Sequence, residues 1–248
     1  MDAGARRNLL HFAVAGRAPR ADDGGVGREA AGGRGAVLII GSLRWDDLEI
    51  RRRWRESRLD AAGAERVHAP IRYGRWSDDG RRCTMTLVRR GAGGGGTAHV
   101  VPFRGAPPDL EAEAQALWDA ERRAEGQGIG APWGTVGAIC RAEDWRRRWA
   151  DLFAAKAEMP DDRERTPLDA RGLLDLDWPR RVGGGEPDFD VILAAVTVPE
   201  EVPPEASEIA AALLADEGAR EYFYRNRLSG ITTFQDDAII REMRDRIR

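Results

Sequence analysis

The residues best placed to do chemistry form a Gly-Ser-Leu turn, at residues 41–43, directly after an apolar run. Residues 37–40 are apolar and lie between Gly35 and Gly41, which predicts a buried strand that breaks at the second glycine. Gly41 and Ser42 carry little side-chain bulk, so the backbone amides of this turn can approach a small carboxylate or phosphate closely. A Gly-Ser pair after a strand also occurs in ordinary turns. The spacing therefore leaves two interpretations open, an ordinary turn and a ligand-binding loop.

Two titratable side chains on predicted helices are candidates for acid–base chemistry. Lys156 is the only lysine of the chain, and it falls on the same helix face as Trp149 and Leu152. An apolar environment favours the neutral amine, so Lys156 could act as a base; alternatively, its stem packs and its ammonium reaches water. Glu113, within the predicted helix 109–125, could act as an acid, or it could belong to a solvated helix face.

The segment 69–77 interleaves arginines and aromatic residues beside a predicted strand. A guanidinium suits a bidentate contact with a carboxylate, so Arg72 or Arg75 could hold a second carboxylate of a ligand bound at the Gly-Ser-Leu turn. A surface strand with arginine stacked on tryptophan is the alternative. His68 and His99 have no evident third ligand and no serine or cysteine partner, which argues against a metal site and against a hydrolase triad.

Composition argues against several classes of partner. The 248 residues carry a formal net charge of only −3 although 33% of them are charged, so no global field favours nucleic acid or an anionic membrane. The basic run 51–55 is therefore a weak argument for nucleic-acid binding. No apolar run approaches the length of about 18 residues that spans a bilayer, and residues 8–15 are too short for a secretory core, so a cytoplasmic protein is expected. Cys83 and Cys140 fall within predicted strands, which indicates core residues.

The order of the predicted elements favours an α+β fold. Strands are predicted at 37–40, 67–74, 83–88, 97–103, 133–140 and 189–198, and helices at 109–125, 143–158, 206–216, 220–228 and 236–247. The glycine-rich run 91–96 predicts a hairpin, and 46–58 is either a short exposed helix or an irregular loop. We therefore expect a mixed, mostly antiparallel, barrel-like sheet with flanking helices. Residues 1–35 are predicted to be a flexible tail, and 36–248 a single domain with a polar insertion near 160–188.

Several motifs occur along the chain in an order known from one enzyme family. A strand ends in Gly-Ser-Leu-x-Trp at 41–45, a later strand reads Gly-x-Val-Gly-x-Ile at 134–139, and a helix follows it. Near the end, Tyr222 in a predicted helix precedes Gly230-Ile231 and Asp236. In these motifs the chain resembles the γ-glutamylcyclotransferases, particularly the ChaC-like branch.

The resemblance implies a small mixed barrel that binds a small γ-glutamyl or amino-acid-derived ligand. The backbone of Gly41, Ser42 and Leu43 would hold the α-carboxylate or α-amino end of the γ-glutamyl group. A glutamate after the strand of the second half would act as acid and base while the α-amine attacks the γ-carbonyl and releases 5-oxoproline. The family implies neither a metal nor an organic cofactor.

Two departures from the family pattern keep a second function open. Ile40 replaces the tyrosine of the family loop, and in the simplest alignment Lys156 stands where the catalytic glutamate is expected. Glu158 reaches that position only by a shift of two residues, which on a helix is a rotation of about 200 degrees. The alternative is a catalytically inactive binding or interaction protein on the same fold, with the arginine-rich segment 44–58 as its contact surface.

Overall fold

The computed structural model describes residues 33–92, 95–126 and 128–248. In this part of the chain the strands are β1 (Gly35–Ile39), β2 (Glu65–Ala69), β3 (Ile71–Trp76), β4 (Cys83–Leu87), β5 (Gly96–Pro102), β6 (Gly134–Cys140), β7 (Arg180–Arg181), β8 (Val191–Thr197) and β9 (Thr232–Thr233). The helices are α1 (Glu49–Arg58), α2 (Leu110–Arg122), α3 (Glu143–Lys156), α4 (Ala206–Ala215), α5 (Glu217–Leu228) and α6 (Asp236–Ile247). The α+β class predicted from the sequence is confirmed.

Residues 1–32 of the predicted tail lie outside the described residues. Residues 33–35 belong to the fold: the Arg34 amide donates to Asp190 Oδ2 at 2.8 Å, and Gly35 begins β1. Residues 33–35, which the sequence assigned to the tail, are therefore part of the domain.

Seven strands form one mixed sheet in the order β6-β8-β1-β5-β2-β7, and β9 pairs with β5. β1 runs parallel to β8, and the other pairs in this sheet are antiparallel. The predicted mixed, mostly antiparallel sheet is confirmed. The barrel is not: within the described residues the sheet is open, because β6 and β7 stand at its two ends and do not pair. β7 has only two residues, which is too short a ladder to close a barrel.

The predicted strand 67–74 is wrong, because the chain divides it at Pro70 into β2 and β3. Proline has no amide hydrogen to donate to a ladder, so a strand is easily interrupted there. β2 stays in the large sheet, whereas β3 pairs with β4 in a separate two-stranded ribbon. β4 and β5 are therefore not neighbours, and the hairpin expected at 91–96 instead connects two different sheets.

Both faces of the large sheet are covered, which explains why every residue of β1 is buried. Ala36 and Leu38 pack in the core on the side of the β3–β4 ribbon and helices α4–α6. Val37 and Ile39 point to the other side, where α1, α2 and α3 pack. The continuous apolar run that predicted a buried strand thus reflects a strand between two layers. Cys83 in β4 and Cys140 in β6 are buried free thiols, as predicted.

The predicted polar insertion 160–188 packs along the main domain. It contains a single 3-10 turn at Arg163–Arg165 and the short strand β7, and Leu174 N donates to Ala138 O of β6 at 2.9 Å. Leu168, Leu174 and Leu176 are buried in the core. Across the described residues, no helix has the length and apolar character required to cross a membrane.

Candidate functional site

A cleft of about 840 Å³ opens at the carboxyl end of β1. Its walls are the Gly-Ser-Leu turn at 41–43, the end of α2 with residues 123–124, the segment that leads into β6, and the β3–β4 ribbon. Tyr222 of α5 completes it. The cleft thus joins elements that are far apart along the chain.

The Gly-Ser-Leu turn presents backbone amides that have no protein partner. Its carbonyls are used: the Arg44 amide donates to Gly41 O at 3.0 Å, and the Asp46 amide donates to Ser42 O at 2.8 Å. Within the described part of the chain, the amides of Gly41, Ser42 and Leu43 donate to no backbone or side-chain acceptor. Buried or half-buried amides require an acceptor, so the turn is suited to an anionic ligand.

Arg51 of α1 fixes this turn in place and is itself almost fully buried. Its Nη1 donates to Ser42 Oγ at 2.7 Å and to Asp46 Oδ2 at 2.8 Å. Its Nε donates to Ala120 O at 2.9 Å, which is one of the last carbonyls of α2. A cation at this position satisfies a carbonyl that the helix leaves free and complements the helix dipole. Arg51 therefore joins α1, α2 and the turn.

Tyr222 lies directly above the turn. A Cβ placed on Gly41 would be 3.0 Å from Tyr222 Oη, so the glycine permits this close approach. Tyr222 Oη accepts a hydrogen bond from the Met85 amide at 3.2 Å, which leaves its own proton free to donate. Burial raises the pKa of the Tyr222 hydroxyl, and the bond from Met85 offsets part of this rise. The phenol is therefore a neutral donor at the cleft.

A buried contact with Asn226 positions the tryptophan of the Gly-Ser-Leu-x-Trp motif. Trp45 Nε1 donates to Asn226 Oδ1 at 2.7 Å, and the Trp45 ring packs edge-on against the Tyr222 ring, with centroids 6.0 Å apart. Asn226 and Tyr222 are four residues apart on α5, so they share one helix face. Trp45 therefore ties the turn to α5.

Of the two predicted arginines of β3, only Arg75 lines the cleft. Its guanidinium stacks over Trp133, 5.1 Å from the ring centroid, and its Nη2 lies 3.1 Å from Asp78 Oδ1. Arg72 lies outside the cleft and stacks over Phe234 at 6.0 Å. A bulge between residues 73 and 75 shifts the register of the ribbon, an irregularity that sequence alternation does not reveal.

Arg82, just before β4, contributes a positive charge to the cleft and was not predicted as a site residue from the sequence. Its guanidinium lies 5.5 Å from the centroid of the Tyr222 ring. Arg82 Nε is buried and, among the described residues, has no hydrogen-bond partner. A buried guanidinium nitrogen without an acceptor is costly, and a ligand carboxylate would satisfy it.

Glu158 lines the cleft although it is not on a helix. α3 ends at Lys156, and the Glu158 amide donates to Ile129 O at 2.9 Å in a short extended contact. The rotation that separates residues two apart on a helix therefore does not apply to Glu158. Gly130, with a φ of 137°, lets the neighbouring segment run against Glu158, since a Cβ there would overlap the Glu158 carbonyl oxygen. Glu158 is thus an exposed glutamate at the lining of the cleft.

Lys156 and Glu113, the other acid–base candidates, both lie outside the cleft. The Lys156 side chain is 53% exposed and its Nζ lies 3.1 Å from Glu111 Oε1, so the apolar pocket that a lysine base requires is not present. Glu113 is buried rather than solvated, and Arg58 Nη1 donates to its Oε1 at 3.3 Å. Burial raises the pKa of Glu113, against the lowering effect of Arg58.

The cleft carries charges of both signs, with a small excess of cations. Its arginines are Arg51, Arg75, Arg82, Arg122 and Arg123. Its carboxylates are Asp78, Asp79, Glu121 and Glu158. Asp78 pairs with Arg75, and Glu121 lies 3.9 Å from Arg51. Within the described residues, Arg82, Arg122 and Arg123 form no ion pair, and neither do Asp79 and Glu158, so the cleft offers unpaired charges of both signs to a zwitterionic ligand.

Five of the eight predicted site residues come together in the cleft: Gly41, Ser42, Leu43, Arg75 and Glu158. Arg51, Arg82 and Tyr222 also line it and were not proposed as site residues from the sequence. The basic run 51–55 could have drawn attention to Arg51, but only burial distinguishes it from its arginine neighbours. The sequence therefore predicted the residues of the turn, but not the side chains of Arg51, Arg82 and Tyr222 around it.

The arginine-rich segment 44–58 is largely committed to contacts within the chain. Arg53 pairs with Glu125, and Arg55 Nη1 donates to Leu43 O at 3.0 Å, while Arg51 is buried. Arg58 also pairs with Glu113, whereas Arg44 and Arg52 form no ion pair within the described residues.

Comparisons of the chain with protein-family models, curated proteins and solved structures give no match. The resemblance to the γ-glutamylcyclotransferases therefore stays a prediction that rests on the sequence motifs. Within the described residues, no group of three or more His, Cys, Asp or Glu side chains is arranged to hold a metal ion.

Proposed function

We propose that the cleft binds the γ-glutamyl group of a small amino-acid-derived ligand and cyclises it to 5-oxoproline. One observation carries the proposal: the Gly41–Leu43 turn, with its unpartnered amides, and Glu158, an exposed glutamate, line the same cleft. Anion-binding amides beside a carboxylate match the α-carboxylate and α-ammonium of a γ-glutamyl group. A volume of about 840 Å³ also leaves room for the group attached to the γ-carbonyl.

The ligand's α-carboxylate would bind at the turn, where the amides of Gly41 and Ser42 and the buried Nε of Arg82 have no other acceptor in the described structure. Arg51 holds Ser42 in place, so these amides need little reorganisation on binding. The α-ammonium would face Glu158. Tyr222 O–H, which is free to donate, would take a ligand oxygen near Gly41.

In the reaction, Glu158 accepts a proton from the α-ammonium, and the resulting amine attacks the γ-carbonyl carbon. A carbon–nitrogen bond forms within the ligand and closes a five-membered ring. The bond from the γ-carbon to the original amine then breaks, Glu158 returns its proton to that leaving amine, and the second proton lost by the ring nitrogen passes to solvent. The products are 5-oxoproline and the free amine. Holding both ends of one γ-glutamyl group brings the reacting atoms together, which supplies the proximity that such a cyclisation needs.

The test is release of 5-oxoproline from a panel of γ-glutamyl dipeptides and glutathione. Glu158→Gln keeps the shape of the side chain and removes the base, so kcat should fall by about 10²- to 10⁴-fold. Lys156→Met is the matched control, since Lys156 is only two residues away and lies outside the cleft. Equal rates for wild type and Glu158→Gln would refute Glu158 as the base.

A second candidate function is ligand binding without turnover, which the lysine at the aligned glutamate position favours. It predicts saturable binding of a γ-glutamyl dipeptide, measured by calorimetry, without release of 5-oxoproline. Gly41→Ala, which would crowd Tyr222 Oη, should weaken that binding under either function. Absence of both binding and release across the panel would contradict both candidates.

A further inference from the structure

A second cleft, of about 540 Å³, lies at the opposite end of β6 from the candidate site. The first cleft borders the segment that leads into β6, whereas the second borders its last residues, 138–140. Residues 89–90 after β4, the first turns of α3 and the segment 163–176 form its walls. Neither the family resemblance nor the proposed reaction gives this cleft a role.

The second cleft is strongly basic in a chain whose formal net charge is −3. It is lined by the five arginines Arg89, Arg90, Arg146, Arg163 and Arg171. Among the described residues, the carboxylates that line it are Asp169 and Asp175, so the formal charge of this part of its lining is +3. A concave surface with one sign of charge attracts ligands of the opposite sign.

The two aspartates are already committed to two of these arginines. Arg171 Nη2 lies 3.2 Å from Asp169 Oδ2, and Arg90 Nε lies 3.6 Å from Asp175 Oδ1. Arg89 and Arg163 have no carboxylate within ion-pair distance anywhere in residues 33–92, 95–126 and 128–248. The uncompensated charge of the cleft is therefore concentrated on Arg89 and Arg163.

Thr166 brings these two arginines together. Arg89 Nε donates to Thr166 O at 2.7 Å, and Thr166 in turn donates from both its amide and its hydroxyl to Arg163 O, at 2.8 and 2.7 Å. Thr166 is fully buried, so the turn that carries Arg163 is rigidly joined to Arg89. The Nη atoms of Arg89 stay free, since only its Nε is used within the described residues.

The remaining surface of the cleft is apolar. Ile139, Leu168, Leu174 and Leu176 line it but are nearly fully buried, so the accessible apolar surface is that of Leu173, which is half-buried, and of Ala170, which is exposed. A bare phosphate ion would fill only a small part of about 540 Å³ and would leave this apolar surface unused. Two free guanidinium groups beside an apolar surface are complementary to a dianionic group attached to an apolar or aromatic body.

We propose that the second cleft is a binding site for a small organic phosphate. Arg89 and Arg163 hold the phosphoryl group, and the leucine-lined surface receives the organic part. A phosphate monoester carries nearly two negative charges at neutral pH, which matches the two uncompensated arginines better than a single carboxylate does. Arg146, whose Nε donates to Cys140 O at 3.3 Å, lies at the rim and is paired with Glu143, with Nη1 3.7 Å from Glu143 Oε2.

The experiment is calorimetric titration of the full chain with AMP, adenosine and inorganic phosphate at low ionic strength. AMP should bind at one site, and adenosine and phosphate should each bind at least about tenfold more weakly. Arg163→Gln and Arg89→Gln should each weaken AMP binding by about tenfold or more, the usual loss for a charge-assisted hydrogen bond. Within the described chain the Arg163 side chain donates no hydrogen bond and forms no ion pair, so its substitution should leave folding intact.

Two control variants separate this site from its surroundings. Arg147→Gln changes the exposed residue next to Arg146 on α3, outside the cleft, and should leave AMP affinity within about twofold. Arg82→Gln, in the first cleft, should also leave it unchanged. Loss of AMP binding in Arg82→Gln instead of Arg163→Gln would assign AMP to the first cleft and overturn the proposal. Absence of saturable AMP binding, or phosphate binding as tightly as AMP, would overturn it as well.

Discussion

Replacing Arg51 by methionine should destabilise the protein far more than the same change at a neighbouring arginine. Arg51 is 2% exposed, and its guanidinium connects three elements through Ser42 Oγ, Asp46 Oδ2 and Ala120 O. Methionine keeps much of the packing volume and removes every one of these donors. The change therefore isolates the polar contacts of one buried side chain.

The expected cost is about 4 kcal/mol of unfolding free energy. Ala120 O is left buried without its partner, which costs about 1–3 kcal/mol. Asp46, whose side chain is only 20% exposed, loses the nearest cation, and breaking a buried pair from one side costs about 3–5 kcal/mol in all. In a domain of this size, about 4 kcal/mol corresponds to a fall in Tm of about 10 °C.

Arg53→Met is the matched control, because Arg53 lies two residues away on the same helix. Its side chain is 59% exposed and pairs with Glu125, which is 71% exposed, so the loss should stay below about 1 kcal/mol. Urea unfolding followed by tryptophan fluorescence gives the midpoint and the slope m for both variants. If Arg51→Met and Arg53→Met had the same midpoint at unchanged m, the role assigned to Arg51 would be refuted.

Two further predictions follow from buried titratable groups. Burial raises the pKa of Glu113, so the folded state binds the proton of this carboxyl group more tightly than the unfolded state does. The stability that the protonated carboxyl group contributes is therefore lost as pH rises above the ordinary pKa range of a glutamate. Urea unfolding between about pH 4 and about pH 7 should therefore show Glu113→Gln gaining stability relative to wild type as pH rises, and the opposite trend would contradict the assignment. Burial also raises the pKa of Cys83 and of Cys140 to about 12. Neither thiol should react with Ellman's reagent at about pH 8 until the protein is unfolded in urea, and rapid reaction of the native protein would show that the strands bearing them open.

Much of the secondary structure could be predicted from local patterns. The helices of the second half, such as 236–247, were predicted to within a few residues because their apolar spacing and their ends are properties of the local chain. The arrangement of strands was not predictable in the same way. Pro70 divides a continuous β-like segment, and pairing partners such as β1 and β8 are separated by about 150 residues.

In the candidate site, too, some features follow from the local sequence and others depend on contacts between distant residues. Glycine at 41 and serine at 42 determine a turn that a ligand can approach, and the sequence alone was enough to select it. The sequence placed Glu158 on a helix face, but α3 ends before it, and a backbone contact with Ile129 brings it to the cleft. Helix ends depend on tertiary contacts, so this position could not be derived from spacing.

Arginine shows most clearly what only the tertiary structure decides. The positions of the arginines are known from the sequence, but because arginine is abundant, the sequence pattern does not distinguish the role of one arginine from that of another. Burial distinguishes Arg51, which anchors the turn, from Arg53, which lies at the surface. Pairing with aspartate distinguishes Arg171 from Arg163, which stays uncompensated. The physical reason is that the energy of a guanidinium depends on its solvent exposure and on nearby acceptors, and both are set by residues distant along the chain.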